Sequence, residues 1–129
     1  VSYFKNPVQN TIPFQEMSLV QIYRKIKSDA FKSQTEKLRT IQDKKEARKY
    51  KSANFHYATF SGTFSKRNDA ELKEHSGLLT VDFDHLENVS ALKEKLLHDE
   101  YFETEMMFVS PSGDGLKWII PIDLSQASH

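Results

Sequence analysis

The stretch LLTVDFDH, residues 78–85, alternates large apolar side chains with smaller polar ones. Because an extended strand directs successive side chains to opposite faces, Leu79 and Phe83 share one face and Asp82 and Asp84 share the other. The two carboxylates lie at the carboxyl end of this strand, where α/β sheets often place functional groups. The stretch therefore predicts a half-buried strand that ends in a pair of carboxylates on one face.

The residues after this stretch predict a short helix, a buried strand and a hairpin. Asn88 is a suitable cap for the helix, and the apolar run MMFV at 106–109 is typical of a strand covered on both faces. The segment SPSGDG at 110–115 must turn, and apolar residues then alternate over 116–122, with Lys117 directed away from the core. A strand, a helix and a second strand form a βαβ unit, to which the turn adds an antiparallel neighbour.

The residues before it predict two helices and one further strand. Apolar residues recur at helical spacing over 18–26, and a serine and a glutamate at capping-box spacing start a second, largely charged helix over 33–53. Residues 57–64 alternate as a strand, and the polar stretch 65–77 is expected to be a loop. The predicted fold class is α+β, with a mixed sheet, helices on one face and a partly open second face that carries the carboxylates.

Length and composition predict one domain that spans residues 1–129. A chain of 129 residues with 38% hydrophobic side chains can bury a single core of ordinary size. The sequence contains no cysteine, which excludes disulfides, thiolate zinc sites and cysteine nucleophiles. The absence of cysteine fits a reduced, cytoplasmic setting, and since no apolar run is long enough to span a bilayer, we expect no membrane partner.

The 18 basic and 18 acidic side chains cancel overall but are unevenly placed along the chain. Residues 24–51 contain 11 Lys/Arg and 4 Asp/Glu, so the remaining residues carry an equal acidic excess. Six basic residues of the charged helix and of the later polar loop are candidate DNA contacts: Lys44, Lys45, Arg48, Lys49, Lys66 and Arg67. A solvated helix face and an ordinary polar loop explain the same charges equally well.

Asp82 and Asp84 are the candidate metal ligands. Two like charges held a few ångströms apart repel each other unless a cation lies between them. Mg²⁺ or Mn²⁺ prefers oxygen ligands and can bridge substrate phosphates. The alternative is a polar strand end that opens into solvent, with Asp84 capping the next turn. His85 is expected in the loop rather than among the ligands.

The turn between the last two strands is a candidate phosphate site. Gly113 and Gly115, beside Ser112, allow the backbone to approach an anion closely and to direct N–H groups toward it. Lys117, two residues into the strand, can add a positive charge to the same anion. An ordinary hairpin turn explains the same glycines. Together with the carboxylates of the neighbouring strand, the turn completes a two-part site for a metal–triphosphate complex.

Three stretches, ANFHYATFSGTFSKRND, HSGLLTVDFDHLEN and SPSGDGLKWIIPID, resemble the N-terminal domain of Bacteroides VirE-type proteins. The resemblance covers nearly the whole chain, including the opening VSYFKN, and that family is similar to the primase-polymerases of the archaeo-eukaryotic primase superfamily. Ser112, Gly113 and Gly115 match the superfamily's second motif, which contacts nucleotide phosphate. Lys117 stands where that motif has a histidine.

The resemblance implies an RRM-like palm core and a nucleotidyltransferase that synthesises primers on a DNA template from nucleoside triphosphates. Asp82 and Asp84 match the first motif of the superfamily and would be its catalytic ligands for Mg²⁺ or Mn²⁺. A third acidic ligand is expected beyond residue 129, since Asp123 follows the second motif too closely. The resemblance also implies a fused helicase-like ATPase domain in the replication protein of a mobile element.

Two alternatives remain open. Haloacid-dehalogenase-like phosphohydrolases also place Asp-x-Asp after a hydrophobic strand, but they continue with Gly-Thr where His85 and Leu86 stand here. Their later acidic motif ends in Asp, where this sequence has Lys117. The other alternative is a catalytically inactive nucleic-acid-binding module with the same fold, which the basic helix and the missing third carboxylate favour.

Overall fold

The computed structural model describes residues 1–123. In that range the chain forms four α-helices and three small antiparallel sheets, which confirms the predicted α+β class. The helices are α1 (Leu19–Lys27), α2 (Lys32–Thr40), α3 (Lys44–Asn54) and α4 (Val89–Leu97). The strands are β1 (Ser2–Phe4), β2 (Gln15–Glu16), β3 (Tyr57–Thr59), β4 (Gly62–Phe64), β5 (Leu72–His75), β6 (Leu78–Phe83), β7 (Met106–Val109) and β8 (Leu116–Pro121). None of the helices described is both long and apolar enough to cross a membrane.

The central sheet has the strand order β6–β8–β7, and both of its pairings are antiparallel. β6 and β7 therefore run in the same direction and are joined by α4 in a βαβ crossover, with β8 inserted between them. The sheet thus mixes strand directions as predicted, although each hydrogen-bonded pair described is antiparallel. The register places Asp82 opposite Lys117 and Lys117 opposite Phe108, so these side chains form one row across a single face.

Hydrophobic clusters cover both faces of this sheet. On one face, Leu96 of α4 packs with Trp118 and Ile120 of β8. On the other face, the fully buried Ile119 belongs to a cluster that includes Ile22 of α1 and a side chain of β1. The helices are therefore divided between the two faces, whereas the sequence analysis placed them on one. The reason is that β8 buries side chains on both of its faces. On the second face, the row that contains Lys117 interrupts the hydrophobic cluster.

Three upstream elements differ from the prediction. The expected helix over 33–53 is two helices, because the Asp43 side chain accepts a hydrogen bond from the Glu46 N–H (2.9 Å) and starts α3 as a new helix. α2 begins after Phe31 without a side-chain cap, so the predicted capping box does not form. The expected strand over 57–64 is divided into β3 and β4, which belong to different sheets, and β5 lies within the expected loop.

α1 follows its prediction closely. Ser18 caps the helix, and the Gln21 side chain completes a capping box by accepting a hydrogen bond from the Ser18 N–H (2.8 Å). Within the apolar stripe, however, Ile22 is buried while Tyr23 and Ile26 remain substantially exposed. The last two side chains line a cleft between the helices and the central sheet.

Candidate metal and phosphate site

Asp82 and Lys117 form an ion pair on the accessible part of the central sheet. The Lys117 Nζ donates a hydrogen bond to Asp82 Oδ1 at 2.6 Å, across the β6–β8 register. The two side chains keep 51% and 33% of their surface exposed, so the pair contributes little to folding stability. Lys117 lies on the face that carries Asp82, as expected from sequence, although part of that face is covered by a hydrophobic cluster.

Lys51 of α3 approaches the same charges from the helical side of the cleft. Burial and the nearby Lys117 ammonium lower the pKa of Lys51, whereas Asp84, Asp82 and Asp114 oppose that shift. One half-buried ammonium is therefore surrounded by charges from β6, β8 and the β7–β8 turn. Within the described part of the chain it makes no hydrogen bond, so an anion bound beside it would offset the cost of burying its charge.

Two basic residues of this region, Lys51 and Arg39, were not among the site residues predicted from the sequence. Lys51 precedes the buried Phe55 by four residues, and this helical spacing was a signal that it belongs to the inward face of α3. Arg39 of α2 donates a hydrogen bond from Nε to the Pro111 carbonyl oxygen (3.1 Å) and so ties α2 to the β7–β8 turn. No local pattern predicts that contact, because its partners are 72 residues apart.

The β7–β8 turn is organised by Ser110, which is buried. Its backbone carbonyl accepts a hydrogen bond from the Gly113 N–H (2.9 Å), and its hydroxyl accepts one from the Gly115 N–H (3.1 Å). Gly113 has a φ of 87°, a left-handed conformation that favours glycine. Both glycine N–H groups are thus engaged within the turn, whereas the sequence analysis expected them to face an anion. Ser112 is exposed, and its hydroxyl donates to Asp114 Oδ1 (2.8 Å).

The same turn packs against the end of β6. A Cβ at Gly115 would lie 2.7 Å from the Ser110 hydroxyl oxygen and 3.0 Å from the Phe83 carbonyl oxygen, so only glycine permits this approach. The Leu86 N–H donates to the Asp114 carbonyl oxygen (2.8 Å), which fixes the turn beside the loop that follows β6. Gly115 therefore has a packing role that brings the turn to the carboxylate pair.

Asp114 and His85 link the turn to that loop. The imidazole Nδ1 of His85 lies 3.4 Å from Asp114 Oδ2, and His85 itself adopts a left-handed φ of 55°. The hydrogen bond from Ser112 lowers the pKa of Asp114, burial opposes this shift, and the hydrogen bond from His85 adds to it. His85 is exposed in a loop, as expected, and Asp114 has interactions beyond those of a plain turn residue.

A cleft of about 1110 Å³ lies between the helices α1–α3 and this region of the sheet. Seven Lys/Arg and three Asp/Glu line it, so its lining has a positive excess. Lys51, Lys117 and Asp82 lie close together in its lining, and Arg39, which is hydrogen-bonded to the β7–β8 turn, lines it too; we call these four residues the charged end. An excess of cationic groups that converge on a concave surface favours an anionic ligand.

The predicted DNA contacts fall on two surfaces. Lys44, Lys45, Arg48 and Lys49 are all exposed on α3. Lys44 and Arg48 are four residues apart and Lys51 follows three later, so a basic face runs along α3 to the charged end.

Lys66 and Arg67 lie elsewhere, in the loop after β4, and both are exposed. The Arg67 guanidinium lies 4.9 Å above the ring of Tyr57. The structure therefore does not join these two residues to the charged end.

The carboxylate pair has the donor chemistry of a Mg²⁺ or Mn²⁺ site. Asp82 and Asp84 supply hard oxygen ligands, and Mg²⁺ is commonly held by one or two carboxylates together with substrate phosphates. Within residues 1–123, no three His, Cys, Asp or Glu side chains are grouped so that they could hold a metal alone. Asp123 follows β8 at its Pro121 end, which pairs with Leu78, so it lies at the opposite end of the sheet from the carboxylates.

Comparison with known families identifies the region that contains these residues. The family model described as BT4734-like, N-terminal domain, matches residues 49–129, which is more than half of the chain. The match begins within α3 and includes Lys51, the carboxylate pair and the β7–β8 turn. It fits the Bacteroides-type N-terminal domain expected from sequence. No curated protein and no solved structure matches this chain.

Proposed function

Because the chain belongs to the BT4734-like N-terminal domain family, and because two carboxylates meet basic groups beside a cleft, we propose that it is a metal-dependent nucleotidyltransferase of the DNA primase-polymerase type. In this proposal it is a member of the archaeo-eukaryotic primase superfamily and works in the replication protein of a mobile element. The observation that carries the proposal is the convergence of Asp82, Asp84, Lys117 and Lys51. Nucleotidyl transfer depends on charges held in place around the phosphates.

The charged end and the neighbouring Asp84 have separate roles in holding a nucleoside triphosphate. Asp82 and Asp84 hold Mg²⁺ or Mn²⁺, which when bound supplies positive charge to the phosphates. Lys117 and Lys51 bind phosphate oxygens as compact positive charges. Lys117 exchanges partners, since the same ammonium that pairs with Asp82 moves to the phosphates when a nucleotide enters.

Replacement of Lys117 tests this role. Lys117→Ala is expected to weaken binding of ATP in the presence of Mn²⁺ about tenfold, which corresponds to about 1.4 kcal/mol, while adenosine binding hardly changes. Titration calorimetry measures both affinities. Lys73→Ala is the matched control, because Lys73 also forms an exposed ion pair, at 3.0 Å from Glu16. Equal ATP affinity in the wild type and Lys117→Ala would show that Lys117 does not bind the phosphates and is an ordinary surface residue.

The basic face of α3 is proposed to contact the DNA template. Lys44→Glu/Arg48→Glu is expected to weaken binding of duplex DNA and to reduce the slope of log affinity against log salt by up to about two. The reason is that binding releases fewer counterions from the DNA when two phosphate contacts are lost. Lys73→Glu/Lys95→Glu changes the net charge equally at exposed positions elsewhere and serves as the control. If both double variants change the slope alike, α3 is only a solvated helix.

Template-dependent incorporation of labelled nucleotides tests the proposed activity as a whole. The protein that carries this domain should extend or start a strand on single-stranded DNA with Mn²⁺, and Asp82→Asn/Asp84→Asn should abolish the incorporation. Binding of DNA together with no binding of nucleoside triphosphate would favour the inactive nucleic-acid-binding module instead. The observation that favours the inactive module is the Asp82–Lys117 ion pair, in which a lysine neutralises the charge of the carboxylate without a metal ion.

A further inference from the structure

The cleft has an aromatic end in addition to its charged end. Tyr23 and Phe31 line it together with Phe55 and His56. The Phe31 ring stacks on Phe55 with 5.9 Å between the centroids, and it lies nearly perpendicular to the His56 imidazole with 4.8 Å between those centroids. Tyr23 remains 49% exposed. We call Tyr23, Phe31, Phe55 and His56 the aromatic end.

The rings of this end are held in place but are not all covered. Phe55 is buried and Phe31 is half-buried, and both rings line the cleft. The Lys27 ammonium lies 5.9 Å from the centroid of the Tyr23 ring, which is the outer limit of a cation–π contact. Both Phe31 and Tyr23 therefore offer aromatic surface to a ligand in the cleft.

Helix α3 joins the aromatic end to the charged end. Phe55 follows Lys51 by four residues, and its N–H donates to the Lys51 carbonyl oxygen at 3.3 Å. Residues at this spacing are neighbours along one helical face, with Cβ atoms about 5–6 Å apart. A ligand whose anionic group touches Lys51 therefore has the aromatic rings within the reach of its next chemical group.

His56 adds a polar group beside the rings. Its Nδ1 lies 2.7 Å from the Tyr3 hydroxyl, and burial raises the pKa of that hydroxyl to about 12, so it stays protonated. Burial, with help from Lys25 and Lys5, lowers the pKa of His56, so the imidazole is neutral at pH 7. In the tautomer in which the Tyr3 hydroxyl donates to Nδ1, the imidazole proton resides on Nε2, which can then donate to a ring nitrogen or carbonyl of a ligand.

We propose that the aromatic end binds the base of the nucleoside triphosphate, which stacks on Phe31 and Tyr23 while its phosphates lie at Lys51 and Lys117. This inference rests on the proposed function and adds a base subsite to it. The seven basic and three acidic residues of the lining favour an anionic ligand, and the rings favour a planar one. A nucleotide carries both groups in one molecule, in the order in which α3 presents their partners.

Two probes separate the base subsite from the phosphate site. Wild-type protein with Mn²⁺ is expected to bind ATP about tenfold more tightly than inorganic tripolyphosphate, because only ATP has a base to stack. Tyr23→Ala is expected to remove most of that difference by weakening ATP while leaving tripolyphosphate unchanged. Phe31→Leu should do the same, and its similar volume protects the packing against Phe55. Tyr101→Ala is the control, since Tyr101 is 87% exposed and does not line the cleft.

The outcomes distinguish this inference from the function on which it rests. Equal affinity of the wild type for ATP and tripolyphosphate, with no effect of Tyr23→Ala or Phe31→Leu, overturns the base subsite and leaves the phosphate site standing. Binding of neither probe overturns both. If single-stranded oligonucleotides displace ATP and lose affinity in the same two variants, the rings bind a nucleic-acid strand, and the subsite for an incoming base is wrong.

Discussion

Asp82→Asn is expected to weaken Mn²⁺ binding at least about tenfold, equivalent to about 1.4 kcal/mol. The substitution keeps the size of the side chain but removes its negative charge. A divalent cation held by the Asp82–Asp84 pair then loses one of its two carboxylate ligands. Asp84→Asn should have the same effect, since the second carboxylate alone holds the ion weakly. Titration calorimetry with Mn²⁺ and no nucleotide measures both variants.

Lys117→Ala is not expected to weaken Mn²⁺ binding in the same titration. Its ammonium pairs with Asp82 at 2.6 Å, so it competes with a metal ion for that carboxylate. Removing it should leave Mn²⁺ affinity unchanged or increase it, although ATP binding weakens. Glu16→Gln is the matched control for the aspartate variants, because Glu16 is likewise paired with an exposed lysine. Unchanged Mn²⁺ affinity in both single Asn variants would show that the carboxylates do not bind the ion jointly.

Phe4→Ala is expected to lower the free energy of unfolding by about 3–5 kcal/mol, the range for truncation of a buried phenylalanine. Phe4 is fully buried in β1, and its ring stacks on Tyr57 with 4.6 Å between the centroids. A loss of this size is a large share of the stability of a small domain. Urea unfolding followed by circular dichroism measures the change.

Phe14→Ala is the control for that experiment. Phe14 is 53% exposed, and its ring contacts the Lys5 ammonium at 3.8 Å from the centroid. An exposed cation–π contact contributes about 0.5–1 kcal/mol, so this variant should remain close to wild type. Equal losses in Phe4→Ala and Phe14→Ala would mean that β1 is not part of the folded core.

The segments after residue 77 could be predicted from sequence because their patterns are local and long. β6 alternates over six residues, Asn88 caps α4 with its own side chain, and β7 and β8 flank a turn rich in glycine. These signals fix the βαβ unit and the hairpin. They also predict that Asp82 and Lys117 share one face, because each alternates with the apolar residues of its own strand.

Apart from α1, the segments before residue 65 are harder to predict because tertiary contacts determine them. β1 has three residues, too few for a periodic signal, and it becomes a strand by pairing with β3 more than fifty residues later. The break between α2 and α3 depends on one cap, Asp43, inside a charged run that contains many residues that favour helix. Lys51 joins the site only because the helices fold over the sheet.

Binding of ATP and dATP with and without Mn²⁺ tests the central claim, that the carboxylate pair and its lysines form a metal–triphosphate site. The account predicts that wild-type protein binds at least one of these nucleotides at least about tenfold more tightly in Mn²⁺ than in EDTA, and that Asp82→Asn removes the difference. The same nucleotide affinity in Mn²⁺ and in EDTA, for wild type and variant alike, would contradict it.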